Sequence, residues 1–253
     1  MASLHDIIPN DLLFYASAEH PCSYLPEMSA TTLFADPRAS MTPQLYSTLS
    51  DLGFRRSGEY VYTPHCAQCR ACLPIRLPVQ DFKPDRSQRR NWKRNQDLEV
   101  RILPAQFTDD SFALYQRYIH SRHPDGSMAT PDREQASQFF TSSWSETRFV
   151  AFNLSGKTLA VAVIDILETG LSAVYTFFDP EAHKRGPGVF AVLWMIEEAR
   201  RRDLPYLYLG YLIHESPKMA YKAHYRPLEV FRSGKWQREE GFFLKNPHFR
   251  VNK

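Results

Sequence analysis

The pattern of hydrophobic and polar positions changes along the chain near Pro104. Before it, short alternating segments are interrupted by prolines. One helix is predicted there, from the N-cap and first-turn pair Thr42-Pro43 to Leu52. After Pro104 the apolar residues recur over longer segments, with the spacing of helices or strands. The pattern therefore predicts a first part of short strands and a second part in which longer helices and strands alternate.

The second part has the order of elements typical of one fold. Three consecutive strands are predicted, linked by turns at Ser155-Gly156 and Thr169-Gly170; they cover 147–154, 157–167 and 171–178. The other predicted elements are helices over 108–121, 130–143, 188–202 and 217–225 and strands over 205–212 and 228–233. This α+β order resembles the acetyltransferase (GNAT) superfold. We expect a smaller, cysteine-containing N-terminal domain over residues 1–100 and a GNAT-like domain over 101–253.

Composition excludes several classes of protein. Hydrophobic residues make up 43% and charged residues 23% of the chain, which argues against disordered, collagen-like and coiled-coil proteins. The longest apolar stretch, Leu159 to Leu167, is interrupted by Asp165 and is too short to span a membrane. The first residues lack the basic start and long apolar run of a signal peptide, so we expect a cytoplasmic protein.

Positive charge is concentrated in one segment. Residues 83–94 hold six basic side chains and one acid, a net charge of +5, whereas the whole chain carries only +3. A helix is predicted here, and its face would suit a phosphate backbone, although such a run is often only a solvated face. The candidate residues for contact with a polyanion are Arg86, Arg89, Arg90, Lys93 and Arg94.

Three of the four cysteines are separated by two residues each, at Cys66, Cys69 and Cys72. This spacing lets successive thiolates point at one centre, as in zinc knuckles and iron–sulfur loops. Cys22 is the candidate fourth ligand. The alternative is that all four are free thiols in a reducing compartment. We predict a zinc ion or an iron–sulfur cluster without choosing between them.

Four separated motifs together resemble one family. They are HPCSYLPE at 20–27, CAQCRACLPIRLPVQDFKPDRSQRR at 66–90, SAVYTFFDP at 172–180 and LPYLYLGYLIHESPKMAYKAHYRPLE at 204–229. They are similar to the aminoacyl-tRNA–protein transferases, in particular to their bacterial branch, the aspartate/glutamate leucyltransferases. The eukaryotic relatives of that branch are the arginyltransferases.

The resemblance implies an enzyme that moves leucine from leucyl-tRNA to proteins with N-terminal Asp or Glu, which marks them for degradation. The aminoacyl ester is already activated, so no cofactor is required for transfer. Acyl-CoA is not expected, because Pro187 lacks the N–H that a pyrophosphate loop over 185–188 would need. Two alternatives stay open: an arginyl donor, or a non-catalytic RNA-binding module with a structural zinc.

Such an enzyme must bind an acidic side chain. Arg70, inside the cysteine segment, and Arg76, just beyond it, are the candidates, because a guanidinium binds a carboxylate with two hydrogen bonds. Local pairing of these arginines is the alternative. Tyr24, in the first motif, is a further predicted substrate-binding residue.

Asp165 lies in an otherwise apolar strand and is the predicted base for the substrate α-ammonium. If Thr169-Gly170 is the turn, Asp165 opposes Val174, and hydroxyls of the next strand flank it. A structural Asp whose hydrogen bonds are satisfied is the alternative.

Tyr208 is the second predicted catalytic residue. Lys218 and Lys222 are predicted to bind substrate from one face of helix 217–225, together with Tyr221 and Tyr225.

Overall fold

The computed structural model describes residues 12–122 and 132–239. The helices of this described part are α1 Pro43–Asp51, α2 Arg86–Arg94, α3 Asp109–Arg122, α4 Arg133–Phe140, α5 Pro187–Arg201 and α6 Pro217–Ala220, with 3-10 helices over Pro180–Arg185 and Tyr221–His224. Its strands are β1 Phe14–Ala16, β2 His20–Pro21, β3 Ser29–Ala30, β4 Thr32–Ala35, β5 Arg55–Ser57, β6 Tyr60–Pro64, β7 Leu73–Pro78, β8 Glu99–Pro104, β9 Glu146–Leu154, β10 Lys157–Ile166, β11 Gly170–Phe178, β12 Tyr206–Leu212, β13 Glu229–Arg232 and β14 Lys235–Arg238.

The predicted α+β class and most predicted elements are confirmed. The strands predicted over 147–154, 157–167 and 171–178 are β9, β10 and β11, each within one residue. Residues 130–131, the predicted start of one helix, lie outside the described residues, and the described part of that helix is α4.

The main sheet has eight strands in the order β14-β13-β7-β12-β11-β10-β9-β8. Strands β11 and β12 pair in parallel, and every other neighbouring pair is antiparallel. The connection from β11 to β12 runs through α5, as a parallel pair requires. The observed order of antiparallel strands, helix and strand agrees with the order of elements that the sequence predicts.

Helices cover both faces of this sheet. Alternate residues of β10 point to opposite faces, so Ala160, Ala162 and Ile164 pack in one cluster with α5. Val161 and Val163 pack in a second, strongly aromatic cluster with α3 and α4. Because both faces of β10 are covered, a polar side chain on this strand has to find its partners inside the protein.

The predicted domain boundary at residue 100 requires a correction, since it falls inside β8. Strand β7, from the predicted N-terminal domain, lies between β13 and β12 in the main sheet. The first part of the chain therefore completes the main sheet. It also forms a separate four-stranded sheet, β1-β4-β6-β5, which packs with α1 against Leu167 and Tyr208 of the main sheet.

Strands β11 and β12 diverge after a short paired segment. Their register covers only three residue pairs, from Gly170↔Tyr206 to Ser172↔Tyr208. Beyond these pairs, β12 bonds only to β7 on its other side, with an irregularity between Tyr208 and Gly210. The divergence leaves backbone groups at the open ends of both strands that other parts of the chain must satisfy.

Candidate functional site

The gap between the diverging strands is occupied by the guanidinium of Arg55, which reaches it from β5. Its Nη1 donates a hydrogen bond to Ser172 Oγ at 3.0 Å, and its Nη2 donates to the Ala173 carbonyl, the first residue of β11 beyond the paired segment. Arg55 is only half-buried. Among the described residues, no carboxylate forms an ion pair with it, so none of them neutralises its charge.

Gly210 of β12 makes room for this arginine. Its φ of +75° lies in the left-handed region, where side chains other than glycine are strained. A Cβ at this position would lie 3.3 Å from Arg55 Nε. Glycine is thus required at residue 210 both by the backbone and by the approach of the guanidinium.

Lys222 lies beside Arg55 at the same end of β12. The side chain is buried, and Nζ donates a hydrogen bond to the Tyr211 carbonyl at 2.8 Å. Burial, followed by the positive charge of Arg55, lowers the pKa of Lys222 from 10.5 to about 7. The gap between β11 and β12 therefore contains a guanidinium that no described carboxylate pairs with, and a lysine amine that is partly neutral at physiological pH.

The predicted helix over 217–225 is wrong in its second half. The α-helix ends at Ala220, and Tyr221–His224 is a 3-10 helix with about three residues per turn. This change separates the predicted common face: Lys222 is buried, whereas Lys218 and Tyr221 are exposed. Only Lys222 reaches the gap, and substrate contact by Lys218 stays a prediction.

Asp165 is not placed to act as a base. It is fully buried and lies in a bidentate pair with Arg56, with Nη2 at 2.6 Å from Oδ1 and Nε at 2.7 Å from Oδ2. Tyr46 and Thr147 hydroxyls donate to the same carboxylate at 2.8 and 2.7 Å. With four donors and no exposure, it has no free lone pair directed at a substrate. The prediction of a catalytic Asp165 is therefore corrected to a structural role.

The predicted strand register around Asp165 is also wrong. Asp165 pairs with Ser172, not with Val174. The turn is closed by Leu167 N–H, which donates to the Gly170 carbonyl at 2.9 Å, so Glu168-Thr169 occupies the turn. Helix α1 fixes this turn from outside, since Ser47 Oγ accepts from the Glu168 N–H at 3.1 Å.

Arg76 and Tyr208 form a half-buried polar cluster with α1. Arg76 pairs with Glu229 at 2.7 Å and with Asp51 at 3.1 Å, and its guanidinium stacks 3.5 Å from the Tyr206 ring. The Tyr208 hydroxyl bonds to Asp51 and lies 2.8 Å from Thr169 Oγ1. Burial, then the Asp51 charge, raises the pKa of Tyr208 far above its usual value.

These contacts correct two predictions. The guanidinium of Arg76 already holds two carboxylates of its own protein, so it does not offer a free fork to an acidic substrate. Tyr208 is buried and keeps its proton, which makes it a poor acid or base. Both residues join α1 to the main sheet.

The four cysteines lie near one another. Burial raises the pKa of the Cys72 thiol to about 12, with further contributions from Cys22, Cys66 and Cys69. Cys22 thus acts on the Cys72 thiol together with Cys66 and Cys69, and its role as the fourth ligand stays a prediction. All four are free thiols, and in the described residues no group of three or more potential ligands is arranged to hold a metal ion. Four thiols are suitable ligands for a thiophilic metal, but in this structure they are not arranged around one metal position.

Two predicted substrate-binding residues belong to this cysteine region. Tyr24 is 41% exposed, and desolvation of its hydroxyl, with smaller contributions from Tyr62 and Cys72, raises its pKa to about 12. Arg70 is exposed and donates to the carbonyls of Cys66 and Cys69. The Arg70 guanidinium therefore caps its own loop and does not extend to the gap between β11 and β12.

The predicted basic helix is confirmed as α2. Asp85 caps it, accepting from the Gln88 N–H at 2.8 Å, while the Gln88 side chain accepts from the Asp85 N–H at 2.9 Å. Gln88, Asn91 and Trp92 face the protein. The predicted tRNA-contacting residues Arg86, Arg89, Arg90, Lys93 and Arg94 are all exposed.

Helix α2 covers the loop where a pyrophosphate would bind in an acetyltransferase. Asn91 Nδ2 donates to the carbonyls of Arg185 and Gly186 at 2.9 and 3.0 Å. A Cβ at Gly186 would lie only 2.5 Å from this nitrogen, so the two segments are in close contact. The loop thus serves as the docking site of the basic helix.

A larger concavity lies elsewhere, on the four-stranded sheet. Its volume is about 560 Å³, and its lining includes Tyr15, Phe34 and Tyr60 with the ion pair of Asp36 and Arg38. It contains none of the predicted site residues, and its two charged groups neutralise each other. The chemically equipped site is the gap between β11 and β12, which holds Arg55 and Lys222.

Comparison with known proteins identifies the family. Residues 20–90 match the family described as "Arginine-tRNA-protein transferase, N terminus", and residues 110–232 match its C-terminal counterpart. An aspartate/glutamate leucyltransferase of Hahella chejuensis is 52% identical over 89% of this chain and 96% of its own length. One of Alcanivorax borkumensis is 52% identical over 90% of this chain and 94% of its own. The chain belongs to the arginine-tRNA-protein transferase family.

Solved structures show a weaker likeness to this transferase. The C-terminal domain (DUF2156) of a putative lysylphosphatidylglycerol synthetase from Agrobacterium fabrum has a TM-score of 0.44 and 14% identity, covering 68% of this chain and 52% of that one. The L-PGS of Bacillus licheniformis also has a TM-score of 0.44, with 10% identity over 66% of this chain and 49% of that one.

Within the described residues, no helix has the length and apolar character needed to span a bilayer.

Sequence reasoning missed Arg55 and Arg56. They are adjacent on β5, where strand alternation would direct them to opposite faces, yet both reach the main sheet. No motif marks them. The signals that were present are two consecutive charges between a predicted helix and a hairpin, together with a buried Asp165 that needed a cation.

Proposed function

We propose that this transferase moves leucine from leucyl-tRNA to the α-amine of proteins with N-terminal Asp or Glu, and so marks them for degradation. The observation that carries the proposal is the 50–52% identity with aspartate/glutamate leucyltransferases over 89–90% of the chain. The acceptor amine attacks the activated ester, so positioning and a proton acceptor suffice, without acyl-CoA. The cytoplasm is the expected location, since both substrates occur there.

The gap between β11 and β12 supplies the chemistry that an acidic acceptor needs. Arg55 is a half-buried guanidinium without a carboxylate partner in the described residues, and Lys222 adds a second basic group beside it. An acceptor carboxylate would neutralise Arg55 with a charge-assisted hydrogen bond. Arg55 therefore takes the role that the sequence had assigned to Arg70 and Arg76.

A transfer assay tests this function. Leucyl-tRNA and arginyl-tRNA, each radiolabelled, are incubated with peptides that begin with Asp, Glu or Ala. We expect label from leucyl-tRNA on the Asp and Glu peptides only. Label from arginyl-tRNA on the peptides would show that arginyl-tRNA, not leucyl-tRNA, is the donor. Binding of tRNA without transfer to any peptide would indicate a non-catalytic RNA-binding module.

The exposed face of α2 is proposed to contact tRNA phosphates. Replacing Arg89 and Arg90 with Glu is expected to weaken binding to all tRNAs about equally, because phosphate contacts carry no sequence information. The logarithm of the binding constant falls with the logarithm of the salt concentration, with a slope of about 0.7–0.9 for each phosphate contact. Loss of two contacts should therefore reduce this slope by about two. Filter binding at several salt concentrations measures this.

The matched control for that experiment is Lys235→Glu, an exposed reversal of charge on β14. Both proteins should remain folded, since exposed changes shift stability by about 0.5 kcal/mol or less. A double variant of α2 that keeps the wild-type salt slope would show that this helix is a solvated face.

A zinc ion or iron–sulfur cluster on Cys22, Cys66, Cys69 and Cys72 is proposed as a structural group, not as a participant in transfer. The two-residue spacing of Cys66, Cys69 and Cys72, and the effect of the other three cysteines on the Cys72 thiol, support it. Changing any one of these cysteines to Ser is expected to remove the metal and destabilise the N-terminal segment. Elemental analysis after anaerobic purification is the measurement, and finding neither zinc nor iron in the wild-type protein would contradict the proposal.

A further inference from the structure

The environment of Lys222 favours an uncharged amine. Its side chain is 9% exposed, and its one hydrogen bond to the described residues goes to the Tyr211 carbonyl at 2.8 Å. An ammonium has three N–H donors to satisfy, whereas a neutral amine has two and also carries a lone pair. A buried position with a single acceptor therefore stabilises the neutral form relative to the charged one.

The charged groups around Lys222 act in the same direction. Arg55, reaching in from β5, is the charged side chain that acts on it. Tyr46 of α1, Tyr62 of β6 and Tyr211 of β12 surround the same guanidinium, which lowers their pKa values against the larger, raising effect of burial. All three tyrosines remain protonated and neutral. No carboxylate among the described residues offsets Arg55 at Lys222, so the amine loses its proton near pH 7.

We propose that Lys222 is the catalytic base that accepts a proton from the α-ammonium of the acceptor protein. This assignment rests on the proposed transfer activity. It replaces Asp165, whose carboxylate is fully occupied by Arg56, Tyr46 and Thr147.

The geometry of an acidic N-terminus fits the two basic groups. The side-chain carboxylate and the α-nitrogen of an N-terminal Asp are only a few bonds apart. Arg55 lies against Gly210 of β12, and Lys222 is bonded to the carbonyl of the next residue, Tyr211. A carboxylate held by Arg55 would therefore place the α-nitrogen beside Lys222. The Arg55 guanidinium would thus bind the acceptor, and before the acceptor binds it favours the neutral amine. Burial, the larger cause, continues to act on Lys222 in the complex.

The proposed step balances without a further reactant. Lys222 takes one proton from the α-ammonium, and the free amine attacks the ester carbonyl to form the C–N bond. The bond from the carbonyl carbon to the ribose oxygen of the tRNA breaks, and this oxygen receives the proton that Lys222 returns. The new nitrogen loses its surplus proton to water. The products are the amide, tRNA with a free hydroxyl, and one proton.

Lys222→Arg tests the assignment, since arginine keeps a long basic side chain at this position but stays protonated and cannot accept a proton. We expect kcat in single-turnover transfer to fall about 10²–10⁴-fold. The Kd for leucyl-tRNA should stay within a few-fold of wild type. Lys235→Arg, an exposed lysine on β14, is the matched control and should transfer at the wild-type rate.

The pH profile provides a readout that a structural role would not change. In the wild type, kcat/KM, which reports the pKa values of the free enzyme, should rise about tenfold per pH unit below about 7, because only neutral Lys222 is active. In Lys222→Arg the break should move to the range of a free α-amine, about 7.7–8.0. If Lys222→Arg does not fold, the proposal is tested by the break near pH 7 in the wild-type profile and by the loss of rate in the Lys222→Met variant.

Two outcomes would overturn the proposal: a Lys222→Arg enzyme within five-fold of wild type, or a wild-type profile without a break near pH 7. In either case transfer to Asp peptides would persist, so the proposed function would stand without this base. If the wild-type protein transferred nothing, the proposed function itself would fail, and the two failures are thus distinguishable.

Discussion

Replacing Arg56 with Met is expected to lower the free energy of unfolding by about 3–5 kcal/mol. The substitution leaves the Asp165 carboxylate fully buried with only two hydroxyl donors, where the native protein also supplies a bidentate guanidinium. An uncompensated buried charge costs far more than an exposed one. Urea denaturation followed by circular dichroism measures the change. At this size a loss of several kcal/mol is a large part of total stability.

A second substitution separates this ion pair from general damage to the core. In the double variant Arg56→Met, Asp165→Leu both charges are removed, so the protein should recover part of the lost stability. Arg101→Ala, at an exposed pair with Glu99, is the control and should cost about 1 kcal/mol or less. If Arg56→Met lowers the free energy of unfolding no more than this control does, the buried pair of Arg56 and Asp165 does not have the structural role assigned to it.

Asp165 shows both what the sequence establishes and where it stops. Strand alternation correctly places it on one face of β10, and burial correctly implies that it needs partners. The partners themselves come from α1, β5 and β9, which are 18 to 119 residues away in sequence. Local patterns carry no information on which distant side chain arrives. A buried carboxylate was therefore interpreted as a base when it is half of an ion pair.

The same limit explains the domain boundary and the acidic-recognition residues. Element positions in the second part were predictable because long periodic segments determine them. The insertion of β7 between β13 and β12 was not, since strand order depends on contacts between distant segments. Once β7 is in the sheet, Arg76 faces Asp51 and Glu229 and is neutralised by its own protein. The arginine in the gap between β11 and β12, which no described carboxylate pairs with, is Arg55, from a segment without a motif.

Replacing Arg55 with Ala is expected to remove most of the preference for an acidic acceptor. Truncating one partner of a buried, hydrogen-bonded charge pair costs about 2–5 kcal/mol, which corresponds to about 30-fold or more in kcat/KM. The loss should fall on peptides that begin with Asp or Glu and spare those that begin with Asn, whose side chain has nearly the same shape and no charge. The ratio of kcat/KM for Asp to Asn peptides is therefore the quantity to measure.

A ratio is needed because Arg55 also has structural contacts. Its removal leaves Ser172 and the Ala173 carbonyl without their donor, so the absolute rate will fall for all acceptors. A purely structural arginine would lower both rates equally and leave the ratio unchanged. Arg55→Lys should keep part of the preference for an acidic acceptor, since lysine retains the positive charge but cannot form the two parallel hydrogen bonds of a guanidinium. Arg101→Ala, on exposed β8, should leave rate and ratio at wild-type values. An unchanged ratio in Arg55→Ala would place acidic recognition outside the gap between β11 and β12.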